Sequence, residues 1–116
     1  MEIFLLRHGT ALPVEEDPKK GLSSRGKSEV LAMAKFCKEK ECINFDCILS
    51  SPKKRALETA TIFADTIGFN PDDILIREEL LSLSPPEEVY DMLKKEYLQY
   101  QKILIVAHLP LLSYLA

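Results

Sequence analysis

Four short apolar segments, each bounded by polar or turn-forming residues, predict the strands of a β-sheet. The first and the last are nearly continuous apolar runs, which is typical of strands buried on both faces of a parallel sheet. Such strands lie centrally, and these sheets bind ligands beyond the carboxyl ends of their strands. The predicted strands are residues 3–6, 45–49, 74–76 and 102–107.

Between these segments, apolar residues recur at helical spacing and predict amphipathic helices. Serine followed by proline marks a helix start at Ser51-Pro52, and Ser84 forms a capping box with Glu87. Gly68 is a typical stop signal for the second helix. The predicted helices are residues 24–41, capped by Ser23 or Ser24, residues 52–67, residues 85–98, and a last helix that begins after His108 at Leu109-Pro110.

Each of the first three helices is expected to bury an apolar face against the sheet. The positions between these apolar residues carry mostly charged side chains, which we expect in solvent. The side chains expected in the core are Val30, Met33, Ala34, Phe36 and Cys37 from the first helix, Ala56, Ala60, Phe63, Ala64 and Ile67 from the second, and Val89, Met92, Leu93 and Tyr97 from the third.

The regular alternation of strands and helices predicts an α/β fold. It favours a three-layer α/β/α sandwich around a mainly parallel sheet, formed by residues 1–116 as one domain. The carboxyl ends of all parallel strands then lie along one edge of the sheet. Residues 9–22 contain two prolines, two glycines and clustered charges, so we expect a loop beside the end of the first strand.

Composition excludes several classes of function. The net charge is −3 and the isoelectric point is near 5.4, which argues against a general nucleic-acid binder. No apolar run approaches the length of a membrane span, and the N-terminus runs into a strand without a signal-type region. We therefore expect a soluble, cytoplasmic protein.

The three cysteines, Cys37, Cys42 and Cys47, are evenly spaced and form neither a redox pair nor a zinc knuckle. Their spacing indicates buried free thiols that behave as small hydrophobic side chains.

The candidate chemistry lies where the predicted strands end. Arg7 and His8 follow the first strand, His108 follows the fourth, and Arg55 falls in the first turn of the helix after the second. Taken alone, each could simply mark the point where a strand reaches water. The chain has only two histidines, however, and both directly follow an apolar strand. Two arginines and two histidines at one edge form a cationic pocket that suits phosphate, which arginine binds bidentately.

The neighbouring lysines admit more than one interpretation. Lys53 and Lys54 are expected in solvent, whereas Arg55 at a helix N-terminus is best explained by an anionic ligand. Lys19 and Lys20 read as surface charges, with the alternative that one of them borders an anionic pocket.

The sequence offers no nucleotide-binding P-loop, no cysteine nucleophile in a phosphate cradle and no clear metal site. A histidine imidazole is a competent covalent nucleophile.

Three motifs resemble the signatures of the histidine phosphatase superfamily, which has the phosphoglycerate mutase-like fold. Two shorter segments are most similar to its small bacterial branch, the phosphohistidine phosphatases of the SixA type. The three motifs are Leu6-Arg7-His8-Gly9, Ser51-Pro52-x-x-Arg55-Ala56-x-x-Thr59-Ala60 and Val106-Ala107-His108-x-Pro110, and the two segments are Leu22-Ser23-x-x-Gly26 and His108-Leu109-Pro110-Leu111.

This resemblance implies a metal-independent phosphatase without a cofactor, acting on a phosphohistidine-containing protein. His8 would be the nucleophile that forms a phosphohistidine intermediate, and Arg7, Arg55 and His108 would hold the phosphate oxygens. In larger relatives a carboxylate after a later strand protonates the leaving group. By position, Glu78 and Glu79 are the nearest candidates for that acid, although their local motif matches poorly.

The resemblance also implies that the chain is truncated at its C-terminus relative to the family, so that the family's C-terminal strands are missing. The chain is then a fragment, or a partner chain completes the fold. In either case an exposed sheet edge could favour self-association.

Two other functions fit the same residues. The substrate could be a small phosphate ester, which the poor acid candidate argues against. A chain without the C-terminal strands could instead be a non-catalytic phosphoprotein-binding module.

Overall fold

The structure is a computed structural model that describes residues 2–39, 44–81 and 85–108. In these ranges four strands form one sheet in the order β1-β4-β2-β3, and every pairing between neighbouring strands is parallel. The predicted parallel α/β architecture is therefore confirmed. The strands are β1 (Glu2–Arg7), β2 (Cys47–Ser50), β3 (Leu75–Ile76) and β4 (Lys102–Ala107).

Three α-helices connect these strands in the described ranges, and two short 3₁₀ helices precede and follow β3. None of these helices is both long and apolar enough to span a membrane. The α-helices are α1 (Ser24–Glu39), α2 (Lys54–Ile67) and α3 (Pro86–Glu96), and the 3₁₀ helices are Pro71–Asp73 and Glu78–Leu80.

The alternation of side chains along the strands builds two cores, one on each face of the sheet. In β4, Ile103 and Ile105 pack with Val89 and Met92 of α3, whereas Leu104 and Val106 pack against α1 and α2. Helices on both faces bury β4 almost completely. This arrangement confirms the predicted three-layer sandwich, and it confirms the predicted buried face of α3.

One strand is not where its sequence predicted. β1 pairs with β4 alone and lies at an edge of the described sheet, where Ile3 is 41% exposed. The prediction that this apolar run is central and buried on both faces is therefore wrong for the described residues. An apolar run reports which faces favour burial, but it does not report how many neighbouring strands and helices are present to cover them.

The buried face of α1 is narrower than predicted. Gly26, Val30 and Ala34, spaced four residues apart, are buried, whereas Met33 is 49% and Phe36 57% exposed. An α-helix turns by about 100° per residue, so Phe36 points almost opposite to Ala34. The predicted burial of Met33 and Phe36 is wrong because α1 packs through one four-residue stripe. In α2 the predicted face is buried, with Ile67 partly exposed.

The start of α2 lies two residues later than predicted. The helix begins at Lys54, and Lys53 occupies the cap position with an extended backbone and no side-chain cap. Ser51 therefore does not cap this helix in the way its sequence suggests. Its hydroxyl accepts a hydrogen bond from the Lys53 backbone N–H at 3.3 Å and also contacts His108. Four predicted features lie outside the described residues: Cys42, the capping box at Ser84, the last helix from Leu109, and the part of the predicted first helix after Glu39.

The loop of residues 9–22 is more ordered than its prolines suggested. Ala11 and Leu22 form an antiparallel bridge, and the Leu12 N–H donates to the Gly21 carbonyl at 2.7 Å. The loop returns onto the start of α1, where Gly26 lies directly against the backbone of Thr10. Cys47 is buried and Cys37 partly so, and within the described residues neither forms a disulfide. Burial raises the pKa of the Cys47 thiol to about 11.

We expect Gly26→Ala to destabilise the protein by about 1–2 kcal/mol. Alanine in a helix is worth up to about 1 kcal/mol more than glycine. The added methyl group, however, would meet the Thr10 carbonyl oxygen and lie 2.8 Å from the Thr10 nitrogen. Backbone atoms cannot rotate away, so overpacking outweighs propensity. Urea denaturation measures the difference, with Ser28→Ala on the exposed side of α1 as the matched control. Equal or greater stability of Gly26→Ala would contradict the prediction.

Candidate active site

The pairing of β1 with β4 brings the two histidines together. Their register runs from Glu2 opposite Lys102 to Arg7 opposite Ala107, and the His8 backbone N–H then donates to the Ala107 carbonyl at 3.2 Å. The imidazole rings of His8 and His108 consequently lie with centroids 5.2 Å apart and planes at 61°. A parallel register between neighbouring strands therefore places both rings at the same end of the sheet.

The hydrogen bonds of His8 define which of its nitrogens carries the proton. Its Nδ1 lies 2.7 Å from the Gly9 carbonyl oxygen, which can only accept, so Nδ1 carries the hydrogen. The Nε2 atom accepts a hydrogen bond from Arg55 Nε–H at 3.3 Å. A nitrogen that accepts from a guanidinium has its lone pair available. His8 is thus a neutral imidazole whose Nε2 lone pair faces a cation.

The electrostatics of His8 favour the same form. Burial is the largest effect that lowers the pKa of His8 below its ordinary 6.5, because it disfavours the imidazolium. The hydrogen bond to Gly9 acts in the opposite direction, and the charges of Arg55, Arg7 and Lys20 lower the pKa further. At neutral pH the ring is therefore an uncharged base held among cations.

Thr59 connects the loop that carries His8 to the helix that carries Arg55. Its hydroxyl accepts a hydrogen bond from the Gly9 backbone N–H at 3.0 Å and donates one to the Arg55 carbonyl at 2.7 Å. Thr59 is fully buried and lies one helical turn after Arg55. A single hydroxyl thus links the backbone beside His8 to the backbone of Arg55, whose side chain contacts His8 Nε2.

Ser51 holds the second histidine. Its Oγ lies 3.0 Å from His108 Nε2, and both residues are buried. Burial, followed by the charge of Arg55, lowers the pKa of His108 to about 4. At neutral pH His108 is therefore uncharged, beside a guanidinium and a second imidazole, and an anion bound next to it would favour its protonation.

Beside His8 lies a cavity of about 540 Å³ that is lined by Arg7, Arg55 and Lys20. Glu29 also lines it, and its carboxylate is held by the Thr10 backbone N–H at 3.1 Å and the Thr10 hydroxyl at 2.7 Å. The hydrogen bonds from Thr10 lower the pKa of Glu29, so this carboxylate stays charged. The structure thus brings Arg7, His8, Arg55 and His108 together, and it places Lys20 at the border, as the alternative interpretation proposed.

The two candidate acids lie elsewhere. Glu78 and Glu79 begin a 3₁₀ helix after β3, at the opposite edge of the sheet from β1, and neither lines the cavity. Three strand spacings separate these edges, about 14 Å. Glu79 forms an ion pair with Arg77 at 2.8 Å, which lowers its pKa. A carboxylate that is paired with arginine and ionised is a poor proton donor, so the geometry argues against this role for Glu79.

The arrangement can bind a tetrahedral dianion and attack it. Arg7 and Arg55 line the cavity beside His8, whose Nε2 supplies a nucleophilic lone pair, and the His108 ring lies 5.2 Å from the His8 ring. Phosphoryl transfer requires mainly positioning and stabilisation of charge on the equatorial oxygens. Within the described ranges, no three side chains of the metal-ligating types cluster together.

Sequence reasoning did not assign a role to Ser51 or Thr59, although both stand in the motif around Arg55. A signal was available for each. Thr59 is four residues after Arg55 and therefore on the same helical face. Ser51 directly follows β2, whose Ser50 is opposite Val106, so Ser51 lies opposite Ala107, the residue before His108. Recognising this required the strand order, which the sequence alone did not provide.

A sequence profile of the histidine phosphatase superfamily (branch 1) matches residues 3–82, well over half of the chain. This segment contains Arg7, His8 and Arg55. No protein with a curated description matches the chain in sequence.

Solved structures provide the second comparison. The chain is similar to the protein histidine phosphatase SixA in complex with tungstate, at 29% identity and a TM-score of 0.86, over 99% of this chain and 74% of that one. It is also similar to a protein from Agrobacterium tumefaciens that is provisionally assigned as phosphohistidine phosphatase SixA, at 27% identity and a TM-score of 0.78, over 97% and 71%.

The α-ribazole phosphatase from Shigella flexneri matches at 20% identity and a TM-score of 0.74, over 97% of this chain and 76% of that one, and shares the fold alone. One fold thus occurs in proteins named for different substrates. Sequence profile and structure agree at the level above the substrate: the chain belongs to the histidine phosphatase superfamily.

Proposed function

We propose that the protein is a phosphatase that removes the phosphoryl group from phosphohistidine in proteins, with His8 as the nucleophile. The observation that carries this proposal is the Nε2 lone pair of His8, which faces Arg55 Nε at 3.3 Å while Gly9 holds the Nδ1 hydrogen. Membership of the histidine phosphatase superfamily and the similarity to two SixA-type proteins support it.

In the first step, His8 Nε2 attacks phosphorus as the P–N bond of the substrate breaks. The electron pair of that bond passes to the leaving imidazole, which departs uncharged when its other nitrogen carries a proton. The His8 ring becomes positively charged, and the Gly9 carbonyl stabilises the charge at Nδ1–H. Arg7, Arg55 and His108 bind the phosphate oxygens, whose charge would also supply the reason for His108 to accept a proton.

In the second step, water attacks phosphorus and the bond to Nε2 breaks. The electron pair returns to His8, which is again the neutral ring that its surroundings favour. Both protons of the water remain with the released inorganic phosphate. Each step therefore restores an uncharged imidazole as the leaving group, and neither needs a separate acid.

The preference for a phosphoramidate over an ester follows from the leaving group. An alkoxide must be protonated as it leaves, and Glu78 and Glu79 lie about 14 Å away at the other edge of the sheet. A phosphoimidazole brings its own proton on the distal nitrogen. Arg7 is exposed and His8 half-exposed, so a side chain presented by another protein can reach the site.

We expect His8→Gln to lower the rate of phosphate release from a phosphohistidine peptide by at least about 10³-fold, because deleting a nucleophile removes the covalent route. Wild-type protein quenched at alkaline pH should carry an acid-labile phosphoryl group that this variant lacks, as seen by intact-protein mass spectrometry. Glu79→Gln tests the alternative acid and should cost less than about threefold. Full activity of His8→Gln, or equal rates on alkyl phosphate esters and the phosphopeptide, would contradict the proposal.

We expect Thr59→Val to lower kcat by about tenfold or more, because the Gly9 N–H and the Arg55 carbonyl lose the hydroxyl that ties them together. Thr59→Ser retains the hydroxyl and should restore most of kcat. KM should change less than kcat, since the phosphate ligands remain. Equal loss in both variants would indicate a packing role instead.

Stability should depend on pH through His108. Its pKa is about 4 in the folded protein and about 6.5 when unfolded, so the unfolded chain binds more protons between these values. Lowering the pH from 7 to 5 should therefore cost about 2 kcal/mol of unfolding free energy. His108→Gln should reduce this dependence and leave the contribution of His8, whose pKa is also lowered, and inorganic phosphate should oppose the loss in wild type. Urea titrations at each pH test this, and a pH-independent midpoint would contradict it.

A further inference from the structure

A second cavity, of about 830 Å³, adjoins the cavity beside His8, which we call the phosphate cavity, and shares Lys20 and Arg55 with it. We call it the basic groove; it is lined by Lys19, Lys20, Lys53 and Lys54 beside Arg55. Six of the fifteen basic side chains of the sequence line these two cavities, in a protein whose net charge is −3. The positive charge of an acidic protein is thus concentrated around one site.

The acidic side chains of the basic groove are occupied by internal partners. Asp17 pairs with Lys54 at 2.7 Å and accepts the backbone N–H groups of Lys19 and Gly21. Glu58 accepts the Leu22 N–H at 2.9 Å.

Within the described part of the chain, no ion pair joins a carboxylate to Lys19, Lys20 or Lys53. Three exposed cations therefore remain available to an external anion.

One of these lysines occupies a position that is unfavourable unless an anion is present, and a second has an uncommon backbone conformation. Lys53 caps α2 at its positive end, where the helix dipole disfavours cations. Lys20 has a left-handed backbone, with φ of 51°, held by its N–H bond to the Asp17 carbonyl at 2.8 Å. Such a conformation is uncommon for a residue with a side chain and directs attention to function.

We infer that the basic groove docks an acidic segment of the phosphoprotein next to the phosphohistidine, an inference that rests on the proposed function. The groove is continuous with the phosphate cavity, so residues that flank the phosphohistidine pass over it. Flexible lysines spread over an open groove suit several carboxylates of an extended segment. The groove would therefore select substrates by the sequence around the phosphohistidine.

The test uses two labelled synthetic peptides that carry the same stable phosphohistidine analogue, flanked by glutamate in one and by glutamine in the other. Binding is measured by fluorescence anisotropy at about 20 mM and about 500 mM salt, because screening removes exposed charge pairs. We expect the glutamate peptide to bind wild-type protein about tenfold more tightly at low salt, as three modest ion pairs would give. At high salt the two affinities should converge.

Charge reversal assigns the effect to the groove. Lys19→Glu with Lys53→Glu should abolish or reverse the preference, whereas Lys35→Glu with Lys38→Glu, on exposed positions of α1, should retain it. If the first double variant is unfolded by its urea midpoint, Lys19→Gln with Lys53→Gln replaces it and should reduce the preference.

Equal affinity of both peptides for wild type would overturn the inference, even if phosphate release continued. A matched oligonucleotide that bound more tightly than the glutamate peptide would also overturn it. If wild-type protein prefers the glutamate peptide but does not turn over a phosphohistidine peptide, the proposed function is overturned, whereas the basic groove stands as a binding site for acidic segments.

Discussion

The site depends on a guanidinium held against the lone pair of a neutral imidazole. Arg55 keeps its charge at any working pH, so its contact with His8 Nε2 is compatible only with an uncharged ring. Nothing in that contact is favourable enough to assemble itself, because it gathers cations around a half-buried group. The fold imposes it, through the register of β1 on β4 and the Thr59 hydroxyl between Gly9 and α2. Packing of the fold therefore offsets the unfavourable free energy of placing these cations around His8, and an anion bound there would stabilise them.

The surrounding carboxylates divide the positive potential rather than cancelling it. Asp17, whose pKa is lowered to about 2 by its bond to Lys54, pairs with that lysine, and Glu29 is tied to Thr10. These acids order the loop of residues 9–22 while Arg7, Lys20 and Lys53 keep their charges toward the cavities. In this loop Asp17 is therefore paired within the protein, whereas the side chains of Lys19 and Lys20 form no ion pair in the described residues.

Much of this site could be predicted from the sequence because parallel strands end at one edge whatever their order. That rule alone was sufficient to bring His8 and His108 together and to set Arg55 near them. Neighbour relations were not accessible: Ser51 looked like a cap until β2 was placed beside β4, and the first strand looked central. Burial on α1 was also overestimated, since helical spacing does not reveal that only the stripe of Gly26, Val30 and Ala34 meets a partner.

Substrate choice is the property that the shared fold leaves open, because structures with the same fold carry names for phosphohistidine and α-ribazole substrates. All of these names describe phosphatases, and in this chain the strand ends carry the residues that we propose bind phosphate. What differs between a phosphoramidate and an ester is the proton on the leaving group. In this chain Arg77 holds Glu79 by two nitrogen–oxygen contacts, at 3.2 and 2.8 Å, away from the cavity. This geometry supports the proposed preference for leaving groups that depart without protonation, and the inferred selection of substrates by the lysines of the basic groove concerns the residues that flank the phosphohistidine.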